Sequence, residues 1–177
     1  MAPTTPPEAQ PAALARRLVE AGLQQGTADA VAGRARPVRH DAGTLIEQRG
    51  MPARAVWFLA EGLVSHQVRL HRGGPAVVSL DGAGTLLNHQ HALFSAPNGL
   101  DTVAVTGVAT LAIDVPAYRA WIEHEPSFLR AMLRLTAHRS TRLAEVLAAF
   151  KHGSPAFRIV FALCHFAEAG GPGSGLT

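Results

Sequence analysis

Cysteine is almost absent from this sequence of 177 residues, which holds only Cys164. A lone thiol cannot form an internal disulfide. It fits a reducing compartment, so a cytoplasmic location is expected. One thiol also excludes an iron–sulfur cluster held by the cysteines of a single chain. Long hydrophobic runs are missing too. The longest are far too short to cross a bilayer, so neither a transmembrane helix nor a membrane partner is expected. The N-terminus, Met1-Ala2-Pro3-Thr4-Thr5-Pro6-Pro7, lacks the basic and apolar regions of a signal peptide. Residues 1–11 instead read as a disordered Pro/Ala tail. Charge is scarce, at 16% against 47% apolar residues. That balance excludes a disordered chain and supports one domain with a packed core. The formal charge of +3 is carried by arginine far more than lysine. It is too small to indicate nucleic acid by itself.

What the sequence does have is a change of period. Leu14, Leu18 and Val19 recur at helical spacing over Ala12–Ala21, and Thr27–Ala32 reads as a second short helix. Gly26 is expected to break the first helix and Thr27 to cap the next. From Arg36 onward the pattern is short strands punctuated by turns. Asp41-Ala42-Gly43, Gly62, Gly73-Gly74, Gly82-Ala83-Gly84 and Pro97-Asn98-Gly99 mark the turns. Ala55–Val64 reads as strand, tight turn at Gly62, and strand. After it Val64, His66, Val68 and Leu70 alternate with Ser65, Gln67, Arg69 and His71. Gly62 suits a turn that needs φ > 0. A last pair of strands is expected at Thr102–Thr106 and Ala109–Val115. Strands at this spacing predict a sandwich or barrel.

After Pro116 the helical period returns. Ala117–Ile122 reads as a short helix, and Pro126 opens a long one running to Gly153. Leu129, Met132, Leu133, Thr136, Leu143, Val146, Leu147 and Phe150 form its apolar stripe. The spacing fits either a two-stranded coiled coil or a helix lying on its own sheet. The row Arg130, Arg134, Arg139 and Arg142 reads as its solvated flank. Ser154 and Pro155 start a final helix, on whose apolar face Cys164 is expected to be packed. Trp57 and Trp121 read as core.

In this order, the elements resemble the cAMP receptor protein / fumarate-nitrate reduction regulator superfamily of bacterial transcription factors. The resemblance covers residues ~12–177 by element order and motif. Trp57-Phe58-Leu59-Ala60-Glu61-Gly62-Leu63-Val64 resembles the family's central strand pair. Gly43 and Gly84 match glycines of its roll. Arg134–Leu143 resembles the start of its dimerisation helix, and Arg158-Ile159 with Leu163 the helix that opens its DNA-binding domain. The resemblance implies a mainly β fold with α: a double-stranded β-helix (a jelly roll, cyclic nucleotide-binding-like). Short N-terminal helices and a long C-terminal dimerisation helix flank it. It implies an effector β-roll over 12–125, a dimerisation helix over 126–153, and over 154–177 the start of a winged-helix domain. Gly175-Leu176-Thr177 stands where the helix-turn-helix would begin, so that unit is expected to be missing here. The implied partners are a second copy of the chain, a small-molecule effector, and DNA for the full-length protein. No enzyme activity is implied.

The cassette that holds a cyclic phosphate in nucleotide-binding members is Gly-Glu followed by Arg-Ser/Thr. Here Asn88-His89 stands near the first pair and Leu100-Asp101-Thr102 near the second. Val146-Leu147 replaces the purine-reading pair of the dimer helix. An aspartate facing a phosphate repels it, by about 4 kcal/mol at close range for an effective dielectric of 20. Tight cAMP or cGMP binding is therefore not expected. Leu87, Asn88, His89, His91, Asp101 and Thr102 remain the candidate effector pocket. No cofactor is expected, although His89 and His91 could ligate haem iron or a metal. Two other readings stay open: a stand-alone module controlling a protein partner, and a cupin-type metal enzyme. For a cupin, His89-Gln90-His91 supplies one pair, but no acid follows closely and no later strand offers a clear third histidine.

Overall fold

The computed structural model describes residues 9–69 and 74–170. Fourteen elements are described, in the order α1 (Ala9–Glu20), α2 (Gln25–Arg34), β1 (Arg36–His40), β2 (Leu45–Glu47), β3 (Val56–Glu61), β4 (Leu63–Arg69), β5 (Pro75–Gly82), β6 (Leu86–Leu87), α3 (His89–Phe94), β7 (Asp101–Ala104), β8 (Val108–Ile113), α4 (Val115–His124), α5 (Pro126–His152) and α6 (Pro155–Gly170). Two antiparallel four-stranded sheets form a jelly roll. Their strand orders are β1-β8-β3-β6 and β2-β7-β4-β5.

The period of two in β3 and β8 explains why the roll has two cores. Along β3, Val56 and Phe58 point to the helices, while Trp57 and Leu59 point to the opposite sheet. On β8, Leu111 and Ile113 join the helical side, and Val108 and Ala112 the inter-sheet side. Strand β8 is therefore buried along its whole length. The two strands are in register, with Val56 opposite Ile113 and Phe58 opposite Leu111. Against this sheet α1 sets Leu14 and Leu18, α2 sets Val31, and α5 sets Phe128 and Met132. Each fully buried leucine or phenylalanine contributes about 1.5–3 kcal/mol.

Several expected boundaries move. Helix α1 begins at Ala9 rather than Ala12 and gives way at Gly22, whose φ is +100°. Gly26 and Thr27 lie inside α2, and its N-cap is Gln24, with no side-chain bond. The helix starts earlier because Gly26 is exposed in the first turn, where no packing opposes it. Helix α3 was not expected. Six residues are too few for a periodic signal, and left-handed Asn88 and Ser95 bound it. Pro116 and Pro126 occupy first-turn positions, and Ser154 Oγ accepts the Phe157 N–H at 3.2 Å. Cys164 is exposed rather than packed. Leu70, His71, Gly73, the tail before Ala9 and Gly175-Leu176-Thr177 lie outside the described residues.

Gly62 joins β3 to β4 with φ +94°. A Cβ there would run into the Gly107 carbonyl oxygen and crowd Val108 Cα, both backbone. Gly43 has φ +85° but open space around it. Gly62→Ala is thus expected to cost at least about 2 kcal/mol, from dihedral strain plus overpacking, and Gly43→Ala only about 1. For a domain of this size the difference is several degrees in melting temperature. Thermal melts of the two variants showing equal losses would contradict this account of the turn.

Candidate functional site

Two polar pins fasten α5 to the roll. The first starts at Asp81, near the end of β5. Its Oδ2 lies 3.0 Å from Arg139 Nη2 on α5 and 2.7 Å from His66 Nε2 on β4. A carboxylate only accepts, so the ring donates through Nε2. In the neutral ring Nδ1 is then the acceptor for Thr102 Oγ1 on β7, at 3.2 Å. Four residues from four elements thus form one chain of contacts. Burial works against the Asp81 charge, but His66 and Arg139 outweigh it and hold the carboxyl below its usual range. His66 and Thr102 are almost fully buried. Arg139, expected on a solvated flank, is therefore the helix's anchor in the roll.

The second pin is His89. Its Nδ1 donates to the Leu86 carbonyl at 3.2 Å, and Nε2 accepts from Thr136 Oγ1 of α5 at 3.0 Å. Burial, with the Arg139 charge nearby, pushes this imidazole down to about 4, so it stays neutral. Thr136 and Arg139 are three residues apart and share one face of α5.

The six residues expected to form an effector pocket do not converge. Leu87 is buried between the sheets. Asn88 takes a left-handed conformation, and its Nδ2 is buried without a partner among the described residues. His89 faces α5, whereas His91 lies beside Gly99. Asp101 Oδ1 accepts the Arg49 N–H at 2.7 Å, and Thr102 points to His66. Neighbours along a strand face opposite ways, which separates Asp101 from Thr102. The two histidines are two apart on a helix and diverge. Both nitrogens of His89 are already engaged. Among the described residues no group of three or more His, Cys, Asp or Glu side chains could hold a metal ion.

A cavity of about 260 Å³ lies instead between β5, α5 and α6. At one end are Arg17, Thr85, His89, Leu135, His138 and Arg139; at the other are Val77, Leu143, Val146, Phe150 and Phe161. Of the six expected residues only His89 lines it. The inter-sheet acid Glu47 was also missed. Its carboxylate accepts Trp57 Nε1–H at 2.7 Å, Asn98 Nδ2–H at 2.8 Å and the Arg54 N–H at 3.1 Å. These bonds tie β2 to β3 and to the turn before β7, a structural role. The pairing of Trp57 with an acid ten residues away was the one available signal.

The stripe of α5 divides. Met132 is core, and Leu129 and Thr136 are half-buried. Leu133, Leu143, Leu147 and Phe150 are exposed, Leu147 at 68%. On α6, Phe157, Ile159 and Val160 are exposed as well.

His89 makes stability depend on pH. Unfolded, it titrates near 6.5; folded, near 4. Below pH 6.5 the unfolded chain takes up a proton that the fold refuses. Stability should therefore fall by about 3 kcal/mol as pH drops from about 6.5 to about 4. His89→Gln should flatten this slope. A residue of it remains from His40, also held down by burial and by Arg54. Asp81 acts lower, its contribution being lost as pH falls below about 4 toward its depressed folded value. Urea unfolding of both proteins at pH 7 and 4.5 measures the difference, and equal pH sensitivity would refute the assignment.

No protein-family model and no curated protein matches the chain. Solved structures do. A regulatory protein of Silicibacter pomeroyi DSS-3, to which cAMP binding is ascribed, shares 25% identity at a TM-score of 0.64, over 79% of this chain and 64% of that one. Thermus thermophilus catabolite activator protein shares 22% at 0.64, over 76% and 63%. The N-terminal domain of a transcriptional regulator from Streptomyces coelicolor A3(2) shares 22% at 0.60, over 80% and 99%. The chain thus spans less than two thirds of the first two. The fold is the jelly roll of cyclic nucleotide-binding domains, followed by a long helix.

Proposed function

We propose that the chain is the effector-sensing and dimerisation part of a Crp/Fnr-type bacterial transcription regulator. The observation that carries this reading is the division of α5. Its first turns complete the core of the roll, while Leu133, Leu143, Leu147 and Phe150 leave an apolar row uncovered. Exposed apolar rows on a helix of 27 residues suit pairing with the same row of a second copy. The likeness to a catabolite activator protein and to a transcriptional regulator's N-terminal domain supports it. DNA would be read by a helix-turn-helix C-terminal to α6, with two copies on half-sites about one helical turn apart. The effector would act by biasing α5 between two arrangements.

Cyclic nucleotides fit this chain poorly. At the cassette position stand a left-handed Asn88 and the neutral His89, already bonded to Thr136. Asp101 adds a carboxylate where a phosphate needs a cation.

Light scattering should show a dimer at micromolar concentration. Leu147→Glu, at a position that does not face the cavity, should shift it to monomer without lowering the melting temperature of the roll. A wild-type monomer would sink the reading. In calorimetry cAMP should give no binding at micromolar concentration; tight binding would show that the altered cassette still works.

A further inference from the structure

The cavity beneath α5 is chemically two-ended. On an α-helix, Phe150 lies about 16 Å beyond Arg139 at 1.5 Å rise per residue. The walls change along that distance. Near Arg139 stand Arg17, His138 and Arg142; near Phe150 stand Val146, Phe161 and Val77. Asp81, at the basic end, is already engaged by Arg139 and His66.

Arg17 is the most telling group. It projects from α1, and only 12% of its side chain is exposed. Its Nε and Nη1 are buried without a hydrogen-bond acceptor among the described residues. The carboxylate of Glu20, itself half exposed, stands 3.5 Å from Nη1 as a long ion pair. Burial alone moves the guanidinium down from its usual value, against the pull of Glu20. Buried donors without acceptors cost about 1–3 kcal/mol each, more when charged. Planar guanidinium N–H groups match the two oxygens of a carboxylate.

We infer that this cavity takes a monocarboxylate with an unbranched apolar tail, of the medium-chain fatty acid class. Its head group meets Arg17 and its tail runs toward Phe150 and Phe161. The volume of about 260 Å³ lies just below the range of about 300–1,000 Å³ for drug-sized ligands, which suits a slim chain better than a nucleotide. The inference rests on the reading of the chain as an effector-binding regulator, and not on its being a dimer. Leu143 and Phe150 border the cavity and also belong to the exposed row, so a second copy closes its outer side.

Titration calorimetry of the 177-residue chain with decanoate, decan-1-ol and cAMP tests this. Decanoate binds, and decan-1-ol binds at least about tenfold more weakly, the scale of one charge-assisted hydrogen bond. Arg17→Met brings decanoate down to the level of the alcohol and leaves the alcohol unchanged. Val78→Trp, at an exposed strand position on the cavity wall, weakens both. Equal affinity of acid and alcohol for the wild type, which needs no variant to fold, overturns the inference. So does an Arg17→Met protein that binds decanoate normally, or cAMP displacing decanoate. Absence of decanoate binding by a chain that light scattering shows to be dimeric overturns it and leaves the dimeric regulator standing. Binding of decanoate by a monomeric chain upholds it and removes the dimer.

Discussion

The carboxylate of Asp81 is the constraint on which the arrangement of helix and roll depends. It lies in a largely desolvated place, at a cost of several kcal/mol for the charge. Two partners from two elements offset that cost, Arg139 on α5 and His66 on β4. Arg139 balances the charge, and His66 adds a hydrogen bond to the same carboxylate oxygen. The pair is therefore weak evidence for stability but strong evidence for position. It fixes which turn of α5 lies over β5, and through His66 and Thr102 the constraint reaches β7 in the middle of its sheet. The His89–Thr136 bond repeats the fastening one turn earlier, without charge.

The roll was legible because its signals are local. Gly62 has its positive φ, and the period of two holds along β3 before it, whereas β4 after it buries Val64, Ser65 and His66 in succession and shifts register at Gln67. Pro126 and Ser154 marked helix starts for the same reason. The candidate site was harder to see because its chemistry is made by pairs distant in sequence. Arg139 and Asp81 are separated by most of the roll, and in sequence one is a helix-flank arginine and the other a strand-end aspartate. Nothing within either's own window distinguishes them from solvated residues. His66 was on the correct face of β4, but only the fold could supply Asp81 and Thr102 as its partners. The cassette around Asn88 and His89 was the expected place of the effector pocket. Its six residues scatter nonetheless, because strand and helix periods send neighbours to different faces.

The stripe of α5 shows a second limit. An apolar row at helical spacing says that something covers the helix, not what covers it. The helix lies on its own core in its first turns, and its later turns leave the row exposed. Phe128, Ala131 and Met132 are covered by the chain's own core, whereas Leu143, Leu147 and Phe150 remain exposed. The change of cover falls after Leu135, where the two polar pins are found.

That coincidence bears on how a ligand could act. Hydrogen bonds and ion pairs are directional, so the turns at Thr136 and Arg139 resist sliding against the roll. After Arg142 the side chains that line the cavity from α5 are Leu143, Val146 and Phe150, all apolar. Apolar contact is non-directional and tolerates small shifts at little cost. A ligand beneath these turns can therefore bias the distal half of α5 while the proximal half stays fixed. The row proposed to pair with a second copy lies mostly on that distal half. Effector binding and dimer geometry would then share the same three turns of helix, and a ligand could change one only through differential contact with two positions of those turns.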